Sequence, residues 1–204
     1  MFALRLLKIL FTFLLLSFSA KANLSNVTSC TISLVVSSND VQDSESLFYK
    51  NTSKVGASYG TAFYYYNEAK KQNYVLTNFH VIERAFKKNI QILGCNYKTE
   101  CETFEVVSID KKFDLAILQP ISKVEENKNC GFVISNDFKE ADKILIYGNK
   151  LGMGNSFAYG IISKINAKLE KDGEENIVNF FDVNAGYGNS GGAIFIENSN
   201  KIIG

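Results

Sequence analysis

Gly188-Asn189-Ser190-Gly191-Gly192, near the end of a chain of 204 residues, sets one serine among glycines. Such a segment can place a hydroxyl nucleophile beside two backbone N–H groups aimed at one point, which is what acyl transfer needs. Gly188 and Gly192, two residues before and two after the serine, are expected to adopt positive φ and to let the backbone come close to a substrate carbonyl. The amides of Gly188 and Ser190 are the expected oxyanion donors. Gly/Ser/Asn clusters also build ordinary turns, and alone the pentapeptide leans slightly towards that plainer reading. Its partners elsewhere in the chain weigh against it.

The single histidine, His80, lies in Val75-Leu76-Thr77-Asn78-Phe79-His80-Val81-Ile82, directly after a β-type run ending at Thr77. Imidazole titrates near neutrality, so it can take a proton from a serine hydroxyl and return it to a leaving amine. A lone histidine is more often a half-buried structural residue, and without the serine segment that reading would prevail. A third stretch shifts the balance. Lys112-Phe113-Asp114-Leu115-Ala116-Ile117-Leu118 puts one acid at the mouth of an apolar run, where a carboxylate is costly unless something pairs with it. An imidazolium is the natural partner. Asp114 would hold His80 in one tautomer and stabilise the charge formed when Ser190 gives up its proton. The alternative is a water-exposed acid at a strand edge. Each plain reading is credible alone; three together, in the order His, Asp, Ser, are not.

That order, carried by T-N-x-H-V, D-L-A-I-L and G-N-S-G-G, resembles the trypsin-like (chymotrypsin-fold) serine proteases, and within them most closely the HtrA-type bacterial proteases. The resemblance runs from Gly56 to Gly204. Gly60-Thr61-Ala62-Phe63, Ile146-Tyr147-Gly148-Asn149 and Gly160-Ile161-Ile162-Ser163 resemble further segments of that family, and Asp182 stands eight residues before Ser190, where HtrA-type enzymes usually carry Asp. The resemblance implies two six-stranded barrels with the active site in the cleft between them. It implies a serine endopeptidase acting on polypeptides through an acyl-enzyme, with His80 as base, Asp114 as orienting acid and Ser190 as nucleophile. No cofactor is implied. HtrA-type proteases often form trimers and often carry a separate peptide-binding domain, so a homo-oligomer is within what the resemblance implies.

Three departures stand out. Gly186-Tyr187 replaces the family's Asn-Pro before the serine segment, which implies a differently set oxyanion loop. Asn184 occupies the position six before the serine, where members with a charged primary pocket often carry the charge; a neutral amide there argues against a demand for Lys or Arg. The family also continues past the strand after the serine into another strand and a terminal helix, whereas this sequence ends at Gly204, so the second barrel is expected to be incomplete.

Composition fits a globular protein, with 46% hydrophobic and 21% charged residues. Arg5 and Lys8, the apolar run from Ile9 to Phe18 and Ala20-Lys21-Ala22 read as a secretory signal over residues 1–22, and the remainder carries 19 basic against 21 acidic residues. Neither that balance nor any basic patch with interleaved aromatics points to nucleic acid. The alternative, an uncleaved membrane anchor, has a short apolar core for a span. Periplasmic or secreted export is expected, with no stable membrane span once the signal is removed. An exported chain meets oxidising conditions, so Cys30, Cys95, Cys101 and Cys130 can pair in three ways. Cys95 with Cys101, flanking a hairpin, is preferred, and Cys30 with Cys130 would then tie the N-terminal segment to the link between lobes. Cys-x-x-Cys is absent and the one His is already claimed, so a metal site is not expected.

Short runs of Val, Ile, Phe and Tyr recur between turn residues from Ile32 to Ile196, which is an all-β pattern. Helical pieces are expected over Asp40–Leu47 and Val81–Lys87, and a charged, Gly-containing hairpin loop over Lys168–Glu175. The expected organisation is a signal over 1–22, an N-terminal barrel over 23–122 with His80 and Asp114, a linker over 123–129 and a C-terminal barrel over 130–204 with Ser190. Two other functional classes remain open. One is a protease-fold protein of little or no activity that binds unfolded polypeptide; the other is an esterase, whose usual G-x-S-x-G elbow is missing.

Overall fold

The computed structural model describes residues 22–36, 58–67, 69–122, 130, 132–171 and 173–204. The expected leader apart from Ala22, the expected helix over Asp40–Leu47 and the expected linker over 123–129 lie outside the described residues.

The first half is a closed barrel of six strands: β1 (Thr31–Val36), β2 (Ser58–Asn67), β3 (Gln72–Asn78), β4 (Ile92–Cys95), β5 (Cys101–Asp110) and β6 (Leu115–Pro120). Its order is β1-β2-β3-β6-β5-β4, all antiparallel, closed by the pairing of β4 with β1. Closure explains why all six residues of β1 are buried: the strand is paired along both edges and covered on both faces. In the triplet Tyr64-Tyr65-Tyr66 only Tyr64 is buried, at the end of the run Gly60–Tyr64 that faces the core and the other half, while Tyr65 and Tyr66 are half-buried. The Tyr64 hydroxyl donates to Glu102 on β5, and burial pushes its phenol far above the ordinary range.

The second half is a six-stranded sheet in the order β10-β9-β8-β11-β12-β7. Its strands are β7 (Val133–Ile134), β8 (Lys143–Gly148), β9 (Ser156–Lys171), β10 (Glu174–Val183), β11 (Ile194–Ile196) and β12 (Lys201–Ile202). The pairings β8–β9–β10 and β8–β11–β12 repeat those of β1–β2–β3 and β1–β4–β5. Among the described residues nothing stands between β10 and β12 as β6 does between β3 and β5, so this second sheet is open where the first is closed.

One apolar core runs through both halves. It joins Ile32, Leu34, Val75, Ile82 and Leu118 of the first to Leu145, Phe195 and Ile202 of the second, with Phe132 edge-on to Phe195 at 4.8 Å. Helix α1 (Ala22–Cys30) was not legible from its Ser/Thr/Asn-rich sequence; it is held by Val27 and Cys30 in that core and by the Cys30–Cys130 disulfide. Helix α2 (Phe79–Lys88) contains the expected Val81–Lys87 and buries Phe79, Val81, Ile82 and Ala85. Among the described residues no helix is long and apolar enough to cross a membrane.

The expected hairpin loop over Lys168–Glu175 is the tip of the β9–β10 hairpin, with most of its residues in strand rather than loop. Lys171 pairs with Glu174 and Lys168 with Ile177, and Gly173, just before Glu174, has φ +79°. A Lys168–Glu175 ion pair of 2.9 Å lies on the exposed ribbon.

Cys95 pairs with Cys101 across the β4–β5 hairpin, and Cys30 with Cys130 across a separation of 100 residues. Loop closure restricts the unfolded chain more for the longer loop. The Cys30→Ala/Cys130→Ala double variant is therefore expected to lose about 4–5 kcal/mol of unfolding free energy, and the Cys95→Ala/Cys101→Ala variant only about 2 kcal/mol. Urea unfolding of both against the parent checks the order; equal losses would contradict it.

Candidate active site

His80 sits in the first turn of α2, directly after β3. The first N–H groups of a helix have no partner within it, and here Asn78, at the N-cap, makes no side-chain cap. Asp114 supplies what is missing. Its carbonyl oxygen accepts from Phe79 N–H at 3.0 Å and from Asn78 Nδ2 at 2.8 Å. One carboxylate oxygen, Oδ1, accepts from His80 N–H at 2.8 Å while the other, Oδ2, lies 2.6 Å from His80 Nδ1. An acid at a helix N-terminus is favoured by the macrodipole, so a single side chain caps α2 and grips its histidine. The turn between β5 and β6 makes this possible. Asp110 Oδ1 accepts from Lys112 N–H and Phe113 N–H, and Asp114 then adopts left-handed backbone at φ 54°.

Neither side chain is buried: His80 is 54% and Asp114 43% exposed. The expectation of an acid driven to pairing by an apolar surround is corrected accordingly. What draws Asp114 to His80 is the pair of unmet N–H donors at the start of α2.

Ser190 is held from the opposite half of the molecule. Its carbonyl accepts from Thr61 N–H of β2 at 2.8 Å. Thr61 is fully buried, and its hydroxyl donates to Gly188 O at 2.7 Å while accepting from Asn149 N–H at 2.9 Å. Its own carbonyl accepts from the Thr77 hydroxyl of β3 at 2.7 Å. Thr61 thus joins the serine loop, the segment after β8 and the strand that delivers His80. Two glycines make the approach possible. Gly188 has φ +91°, and a Cβ there would stand 2.1 Å from Asn149 O. Gly191 has φ +84°, and a Cβ there would stand 2.1 Å from the Thr77 hydroxyl. The second left-handed residue is therefore Gly191, not Gly192 as the sequence suggests; the chain has to reverse against β3 immediately after the serine.

Peptide planes orient the amides. Tyr187 O accepts from Leu151 N–H at 2.6 Å, so the Gly188 N–H in the same rigid plane points the other way. Leu151 holds this contact from left-handed backbone at φ 59°, in the short 3-10 turn Lys150–Gly152. Asn189 N–H is used by Gly186 O, while the N–H groups of Gly188 and Ser190 donate to no protein acceptor among the described residues. Among the same residues no hydrogen bond joins Ser190 Oγ to His80; such contacts are often long before a substrate arrives.

Beside Gly191 and Gly192 an apolar cleft of about 570 Å³ runs between the two halves, lined by Phe63, Leu76, Ile109, Ile117, Ile194 and Ile203 among others. Asn184 does not line it. That residue lies along a separate depression with Tyr159, Ile161 and Val183, and its side chain accepts from Lys150 Nζ at 2.8 Å. Among the described residues no group of three or more His, Cys, Asp and Glu is placed to hold a metal ion.

A family model described as trypsin-like peptidase domain matches residues 60–204. The chain belongs to the trypsin-like peptidase family. Among curated relatives of this trypsin-like chain, the probable periplasmic serine endoprotease DegP-like of Buchnera aphidicola subsp. Baizongia pistaciae is 34% identical over 129 residues, covering 61% of this chain and 26% of its own. The periplasmic pH-dependent serine endoprotease DegQ of Escherichia coli is 32% identical, covering 64% and 28%. The serine protease HtrA-like of Staphylococcus aureus MRSA252 is 27% identical, covering 89% and 24%. The chain thus spans about a quarter of the length of these relatives. The solved structure of Deg5 superposes with a TM-score of 0.63 at 19% identity, covering 92% of this chain and 84% of its own, which supports the chymotrypsin-like fold.

In the sequence alone Thr61, Thr77 and Asn149 stand only as members of matching segments, and Lys150 and Leu151 carry no signal as site residues. Thr61→Val keeps shape but leaves buried Gly188 O and Asn149 N–H unpaired, at about 1–3 kcal/mol for each. It is expected to cost about 2–4 kcal/mol in urea unfolding, whereas Thr61→Ser costs under about 1 kcal/mol; equal losses would show that the hydroxyl does not join the halves.

Proposed function

We propose that this protein is an exported serine endopeptidase in which Ser190, His80 and Asp114 form the catalytic triad. The observation that carries the reading is the grip of the Asp114 carboxylate on both the ring and the backbone N–H of His80. With Nδ1–H engaged by Asp114, the neutral ring presents Nε2 as the basic nitrogen.

Ser190 Oγ attacks the scissile carbonyl carbon, and its proton passes to His80 Nε2. The carbonyl oxygen becomes an oxyanion held by the N–H groups of Gly188 and Ser190, and Asp114 balances the imidazolium. The intermediate collapses with cleavage of the C–N bond, and His80 returns the proton to the departing amine. Water, deprotonated by His80, then attacks the acyl-enzyme and releases the acid with Ser190 restored. Export is supported by the signal-like N-terminus, the periplasmic names of two relatives and two disulfides, which persist in oxidising compartments.

Release of fluorescent fragments from unfolded casein tests the reading. Ser190→Ala and His80→Ala are each expected to lower turnover by several orders of magnitude with the unfolding midpoint little changed. Asp114→Asn is expected to lower kcat about 10⁴-fold, because the amide favours the wrong ring tautomer. Cleavage by Ser190→Ala at the parent rate would sink the proposal.

A further inference from the structure

The Lys150 side chain lies along the strand of chain that leads into the serine loop. Its Nζ donates to Asn184 Oδ1 at 2.8 Å and to Asn184 O at 3.3 Å, and its stem runs close over Gly186, where a Cβ would stand 3.0 Å from Lys150 Cε. The next residue, Leu151, holds Tyr187 O. Lys150 and Leu151 together therefore hold the segment Asn184–Tyr187 at its two ends, with the Lys150 stem over Gly186 between them.

Both acceptors on Nζ are neutral. Among the described residues Lys150 makes no ion pair, although Asp182 and Glu197 line the depression beside Asn184. An ammonium carries three N–H donors, two of which Asn184 engages, and the side chain is only partly buried. One donor and an unneutralised positive charge thus remain at Asn184, at the start of the segment that leads into the amides of Gly188 and Ser190. We infer that Lys150 is a specificity-determining residue that selects substrates with a carboxylate side chain, Glu or Asp, on the residue contributing the scissile carbonyl.

This inference rests on the proposed protease reading and on a substrate carbonyl seated at Gly188 and Ser190. It adds to the sequence argument at Asn184. A neutral amide there makes a basic side chain unwelcome, and the Lys150 ammonium bound to it makes an acidic one welcome. A charge-assisted hydrogen bond is stronger than a neutral one, which gives Glu the advantage over the isosteric Gln. Because the site is open to water, salt weakens that advantage.

Quenched fluorescent peptides identical except for Glu, Gln, Leu or Lys before the scissile bond provide the test, with Ser190→Ala as the control for each. The expected result is kcat/KM about tenfold higher for Glu than for Gln, lowest for Lys, with the Glu/Gln ratio shrinking as ionic strength rises. Lys150→Met is expected to bring that ratio to about one, and Lys150→Glu to favour Lys over Glu. Ser190-dependent cleavage with a Glu/Gln ratio near one in the parent, or a high ratio that survives Lys150→Met, overturns the role of Lys150 and leaves the protease reading standing. Absence of any Ser190-dependent cleavage overturns the protease reading and this inference with it.

Discussion

The buried hydroxyl of Thr61 is the constraint on which the site depends. One oxygen donates to Gly188 O and accepts from Asn149 N–H, while the backbone of the same residue engages Ser190 O and the Thr77 hydroxyl. A threonine in a closed barrel wall has little freedom to move, so the serine loop of the second half is referenced to a rigid surface of the first. A side chain without a hydroxyl cannot make these contacts, and a larger one cannot fit. Gly188 and Gly191 carry the complementary requirement, since a Cβ at either would collide with backbone or hydroxyl oxygen at about 2.1 Å.

The second organising element is the N-terminus of α2. Helix formation over Phe79–Lys88 leaves donors that Asn78 does not satisfy through its side chain, and Asp114 meets them from the β5–β6 turn. The same carboxylate then orients His80. Helix capping and ring orientation are thus one arrangement, so the acid that orients the histidine also fixes where the helix starts. The two elements meet at β3, which carries Thr77 on its way to His80.

Much of this was legible in the sequence. The short apolar runs marked the strands of the first barrel, and the motifs around His80, Asp114 and Ser190, in that order, marked the candidate site. Local pattern carried less where contacts are distant. Helix α1 has a weak amphipathic signal, and burial of Val27 with a bond from Cys30 to Cys130 keeps it in place. Strands β7 and β12 are two residues each, too short for any periodicity. Thr61 pairs with groups 88 and 127 residues away, and Lys150 with Asn184 34 residues away, which no window along the chain reveals. Within Gly191-Gly192 the sequence does not say which glycine meets β3, and it is Gly191 that takes the positive φ.

The most direct test of the account is the reactivity of Ser190 towards a fluorophosphonate, read by intact mass and peptide mapping. The hydroxyl of an ordinary loop serine is inert to such a reagent, whereas one activated by a positioned base and an oxyanion hole is not. The account predicts a single adduct on Ser190 that forms far more slowly in His80→Ala. An unlabelled protein that is folded by circular dichroism, or labelling that ignores the loss of His80, would contradict it.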